Sequence, residues 1–156
     1  MKTACTLARV LFGLIFLYAG STKIADPAAF AEIVFNYQIL PMSLVNLAAL
    51  LLPWVEMLCG AALVLGVLPR GAVVVLVLLN AAFCAAMAYN LARGLNTTCG
   101  CFSSEVGPGN MVRDLVRDLI FLALGLLSAW CVFRGPRSHR RRWVPGFPHP
   151  PKRSET

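Results

Sequence analysis

Apolar residues gather in four long runs separated by short polar breaks. The first covers residues 4–24, with Arg9 inside it and Lys23 at its edge. The second, residues 42–67, follows Pro41 and carries Pro53 and Glu56 in its interior. The third, residues 71–92, has Asn80 near mid-depth. The fourth, residues 111–134, opens with Arg113, Asp114, Arg117 and Asp118 and is then apolar from Leu119 to Phe133. A helix rising about 1.5 Å per residue needs roughly 20 residues to cross a hydrocarbon core of about 30 Å, and each run is long enough. The pattern predicts an all-α membrane protein, a four-transmembrane-helix antiparallel bundle. Leu17-Tyr18-Ala19 is a poor cleavage site, so the first run reads as a retained helix rather than a signal peptide.

Two connections carry information. Asp26-Pro27 breaks the first run, and in residues 28–40 Phe30, Ile33, Val34 and Tyr37 recur at helical spacing. That spacing suits an amphipathic segment lying on the membrane face, with a plain connecting loop as the alternative. Pro69-Arg70-Gly71 reads as a tight turn, short enough to make the second and third helices antiparallel neighbours.

Composition agrees with a bilayer setting. The chain has 156 residues, 58% hydrophobic and only 13% charged, too little polar surface for a water-soluble domain of this size. Its net charge of +7 would suggest nucleic acid in a soluble protein. Here the excess lies in a tail holding Arg134, Arg137, Arg140, Arg141, Arg142, Lys152 and Arg153 among five prolines, so no nucleic-acid partner is expected. Residues 1–134 form the membrane domain in this reading, and 135–156 a disordered basic tail with affinity for anionic headgroups. Basic residues remain in the cytoplasm. Both termini are therefore expected inside, and the segments 25–41 and 92–109 outside.

The outer segment 92–109 contains Cys99-Gly100-Cys101. A disulfide between residues so close closes a small ring away from the relaxed geometry, and Gly100 lets the backbone bend far enough to close it. Such strain favours the reduced form and makes the oxidised pair an electron acceptor. An unremarkable reduced pair and half of a metal site are the competing readings. Cys5, Cys59, Cys84 and Cys131 lie in apolar surroundings and are expected to stay reduced, with no second pair among them. Glu56 and Asn80 share a depth and form a candidate hydrogen-bonded pair, a midplane polar site to which Lys23 is the nearest cation. With no cation evident at its own depth, Glu56 is expected to be protonated. Arg113 with Arg117, and Asp114 with Asp118, occupy adjacent stripes; mutual neutralisation competes with a role beside the thiols.

These residues resemble the MauE/DoxX-like family of small four-helix bacterial membrane proteins. The likeness rests on Ala19-Gly20-Ser21-Thr22-Lys23, Asp26-Pro27 with Phe30, and Tyr37-Gln38-Ile39-Leu40-Pro41. It continues in Leu52-Pro53-Trp54-Val55-Glu56 before Gly60, Cys99-Gly100-Cys101-Phe102, and Arg117-Asp118. Ser103, where the family often has glycine, and the basic tail are departures. The resemblance implies thiol redox chemistry at the bacterial inner membrane and leaves the substrate open; the specific methylamine role of MauE does not carry over. Its expected partner is a thioredoxin-like periplasmic protein or a disulfide-containing client, with Cys99 and Cys101 as the catalytic pair. Quinone is the candidate electron acceptor, with Trp54, Glu56 and Lys23 as candidate lining residues. A non-catalytic membrane scaffold and a small transporter using Glu56 and Asn80 are the alternatives.

Overall fold

The computed structural model describes residues 2–94 and 110–134. Cys99, Cys101 and the tail 135–156, with the expectations placed on them, lie outside the described residues. Five helices make up the described chain: α1 Lys2–Ala25, α2 Pro27–Asn36, α3 Met42–Leu65, α4 Pro69–Ala92 and α5 Met111–Arg134. Four of them, α1, α3, α4 and α5, are long and apolar enough to cross a membrane. No strand occurs among the described residues.

The helix limits follow local chemistry. Asp26 caps α2: its carboxylate accepts from the Ala29 amide at 3.0 Å, and Pro27 fills the first position, where a missing N–H costs nothing. At the other end of the bundle the expected turn is displaced. Pro69-Arg70-Gly71 is the first turn of α4, and the chain reverses one step earlier, at Gly66-Val67-Leu68. Gly66 takes the left-handed conformation (φ 71°) that ends α3, while the Val67 amide donates to the Ala62 carbonyl at 2.9 Å. Pro69 pre-sets the helical φ and so opens a helix better than it makes a turn here.

The spanning helices form a ring in which α1 lies between α3 and α5, and α4 closes it against both. The α1–α3 contact is closest and is built on glycine. A Cβ on Gly13 would lie 2.9 Å from the Gly60 carbonyl oxygen, and one on Gly60 would lie 2.8 Å from that of Gly13. Gly20 meets Pro53 and Met57 of α3 in the same way. Lipid is as apolar as leucine, so helices in a bilayer associate through such close backbone packing. Outward-facing leucines agree: Leu58 and Leu65 are each 68% exposed.

One apolar cluster, Phe12, Phe16, Leu63, Ala72, Val73 and Leu76, fills the end of the bundle nearest Gly66. The opposite end, called here the α2 end, is closed by α2. Phe30 and Val34 pack with Val45 and Ala49 of α3, while Ile33 and Tyr37 pack with Met87 and Met111. The four residues read as membrane-facing are therefore buried against protein. Their spacing is legible, but helical periodicity does not distinguish lipid from a neighbouring helix.

A second correction concerns the cysteines. Cys5 and Cys131, expected to stay reduced, are joined in a disulfide with Cα atoms 5.5 Å apart. Their separation of 126 residues hid them, because only packing of α1 on α5 brings them together. Cys59 and Cys84 remain thiols, as expected.

Candidate functional site

Lys23 stands two residues before the end of α1, yet its side chain points into the bundle and is 3% exposed. Its Nζ donates to both carboxylate oxygens of Glu56, at 2.7 and 2.8 Å. The glycine contacts explain the reach: they draw α1 against α3 and leave the long aliphatic stem room to run along the interface. Phe30 of α2 and Phe83 of α4 cover the ammonium, with ring centroids 5.0 and 4.9 Å away. The faces of aromatic rings are electronegative and so replace part of the lost hydration.

Glu56 therefore has the cation it was expected to lack, because the Lys23 side chain reaches its depth from the end of α1. The expected Glu56–Asn80 hydrogen bond is also replaced. Asn80 Nδ2 donates instead to the Asp118 carbonyl at 3.3 Å, and the Cys84 thiol lies 3.9 Å from Asn80 Oδ1. Asn80 thus ties α4 to α5, while Glu56 ties α3 to α1. Asp118 remains within electrostatic range of Glu56, so the two ties belong to one polar centre.

The charged start of α5 is divided. Arg117 bridges both acids, with Nε 3.1 Å from Asp118 Oδ1 and Nη1 3.2 Å from Asp114 Oδ1. Asp118 is buried and faces the centre; Arg113 is exposed and takes no part in these ion pairs. Neutralisation along α5 is what the geometry displays for Arg117 and its two partners.

The candidate quinone residues do not form one site. Trp54 is 51% exposed on the outside of α3, whereas Lys23 and Glu56 satisfy each other behind Phe30 and Phe83. The residues present do not fit a quinone there. Sequence reasoning also missed Asn90, fully buried with neither amide atom hydrogen-bonded among the described residues. Asn90 stands two residues before the end of α4, where a polar residue is unexceptional, and nothing in its spacing distinguishes it.

The α2 end is also where the Cys99-Gly100-Cys101 segment begins and returns, at Gly94 and Asn110. Arg93, just before it, donates from Nη2 to Gln38 Oε1 at 3.3 Å and so links its root to the α2–α3 connection.

Comparison with known proteins gives a consistent answer. The family profile described as methylamine utilisation protein MauE matches residues 1–131. The methylamine utilization protein MauE of Paracoccus denitrificans is 32% identical over 122 residues, covering 78% of this chain and 66% of its own length. That of Methylophilus methylotrophus is 35% identical over 119 residues, covering 72% and 63%. The chain thus spans about two thirds of the length of these curated relatives. No solved structure matches. A profile match across nearly the whole membrane domain, on a fold of four spanning helices, makes this chain a multi-pass membrane protein of the MauE family.

Proposed function

We propose that this protein is an inner-membrane thiol–disulfide exchange component serving methylamine utilisation, acting through Cys99 and Cys101. The observation that carries the reading is the Cys-Gly-Cys motif, rooted at the α2 end between α4 and α5 of a MauE-family bundle. The α2 end faces the periplasm and both termini face the cytoplasm, because the six basic residues of the tail follow Arg134, at the end that also carries Arg9 and Arg70, and outnumber Arg93, Arg113 and Arg117 at the α2 end. A periplasmic thiol pair has oxidised clients and carriers within reach.

The exchange is a two-electron step. A thiolate of a thioredoxin-like partner attacks one sulfur of the Cys99–Cys101 disulfide, forming a mixed disulfide and releasing the other sulfur as a thiolate. The partner's second thiolate then attacks its own mixed-disulfide sulfur. The partner leaves oxidised, and Cys99 and Cys101 are left as a dithiol after taking up two protons. The reverse sequence reduces an oxidised partner and closes the Cys99–Cys101 bond. In a MauE-type role, such exchange serves the maturation of a disulfide-containing enzyme. Lys23 and Glu56 are paired with each other and Asn80 with the Asp118 carbonyl, an arrangement that offers no support to transport through a Glu56–Asn80 site.

Single variants Cys99→Ser and Cys101→Ser, recovered from periplasm-containing cells under acid quench, test the reading. One of them is expected to carry a covalently attached thioredoxin-like protein that dithiothreitol releases. Unimpaired growth on methylamine after replacement of both cysteines would reject exchange and leave a scaffold role.

A further inference from the structure

We infer that Cys5 and Cys131 form a second exchange-active thiol pair, at the end of the bundle opposite the Cys99-Gly100-Cys101 segment, taking a thiol reductant as its substrate. The inference does not depend on the proposed chemistry of Cys99 and Cys101 or on the proposed orientation.

Position is the first argument. Cys5 lies in the first turn of α1 and Cys131 in the last turn of α5, so the disulfide sits at the edge of the membrane rather than within it. Both residues are half-buried, leaving a sulfur approachable by an incoming thiolate. Twenty helical residues, about 30 Å at 1.5 Å each, separate Cys131 from Met111, where the other thiol segment returns. Cys5 and Cys131 therefore lie a full helix length from the end where the other thiol segment leaves and rejoins the bundle.

Packing is the second argument, because the bridge is not what holds α1 to α5. Six residues further into α5, Gly125 admits the Phe12 ring: a Cβ there would lie 2.6 Å from Phe12 Cζ. Phe12 is fully buried at that contact. Opening the disulfide therefore leaves the helix pair docked, as a cycling bond requires and a purely structural bridge does not.

Electrostatics is the third. Arg9 is four residues after Cys5 and Arg134 three after Cys131, so each cysteine shares a helical face with a cation. Arg70 belongs to the same end, its guanidinium over Phe133 at 5.9 Å. The Arg9 guanidinium lies against Gly66 and that of Arg134 over Trp130 at 4.3 Å, so these cations make this end of the bundle positive without touching the sulfurs, and a positive environment favours a departing thiolate.

The step balances without any further reagent. A reductant thiolate attacks one sulfur of the bridge, and the other leaves as a thiolate. A second reductant thiol then displaces the first cysteine. The reductant ends as a disulfide, and Cys5 and Cys131 end as two thiols after taking up two protons. A dithiol protein and glutathione present the same chemistry, and the test separates them.

Wild-type protein in right-side-out and inverted membrane vesicles is treated from outside with reduced glutathione or with a reduced thioredoxin-class protein. Each cysteine is then alkylated, and the modification at each position is read by peptide mass mapping. Cys5 and Cys131 are expected to become labelled at least tenfold more in one vesicle orientation than in the other, and to close again with the oxidised reagent. Opening by glutathione identifies a small thiol as sufficient, and opening by the dithiol protein alone identifies a protein donor. A bridge that opens to neither reagent until the protein is denatured, or cysteines already labelled and unable to close, would overturn the inference. Because each pair is read separately, failure here and failure of Cys99 and Cys101 remain distinct.

Discussion

Lys23 and Glu56 form a buried two-point ion pair between α1 and α3, with the ammonium 2.7 and 2.8 Å from the two carboxylate oxygens. Removing one partner leaves an uncompensated charge in a low-dielectric interior, which costs about 3–5 kcal/mol. Glu56→Gln or Lys23→Met alone should lower the thermal midpoint of the detergent-solubilised protein sharply. The double replacement Lys23→Met with Glu56→Leu should recover most of the loss. Equal destabilisation by the single and double variants would show that the pair is not coupled.

Glycines in this bundle should divide by what surrounds them. Gly13→Val drives a side chain into the Gly60 carbonyl, and overpacking of that kind costs about 1–3 kcal/mol. Gly71 has nothing within 4 Å of a Cβ position, so Gly71→Ala should be neutral or stabilise by up to about 1 kcal/mol through helix propensity. Denaturation midpoints of the two variants check the contrast.

Asp26→Ala removes the side-chain cap of α2, a loss of about 1 kcal/mol. Amide exchange should accelerate in residues 27–36 and hardly change in α4. Uniform acceleration throughout the bundle would mean that α2 does not open as a local unit.

For the orientation, a cysteine introduced at position 104 should react with an impermeant maleimide added to the outside of intact cells, and one at position 150 should not. The reverse pattern would place the α2 end in the cytoplasm.

The architecture was legible because spanning helices announce themselves by length: residues 42–65 and 111–134 coincide with apolar runs that are hard to read otherwise. Glu56 could be recognised as costly inside a bilayer, whereas Asp118 read as one of a group of charges neutralising one another at the membrane edge; both are buried. Their partners could not be assigned. Which acid Lys23 reaches depends on how closely Gly13, Gly20 and Gly60 let α1 approach α3, a distance that no linear spacing encodes. The same reason hid Cys5 from Cys131, and left Phe30 indistinguishable from a lipid-facing residue.

The apolar layer of Phe12, Phe16, Leu63, Val73 and Leu76 lies beyond Glu56, toward the Gly66 turn. Ser128, buried and without a hydrogen-bond partner among the described residues, is an isolated hydroxyl in that region rather than part of a chain of polar groups. Among the described residues, the polar groups Lys23, Glu56, Asn80 and Asp118 therefore all lie on the α2 side of this layer, and α1, α3 and α4 meet through apolar packing alone within it.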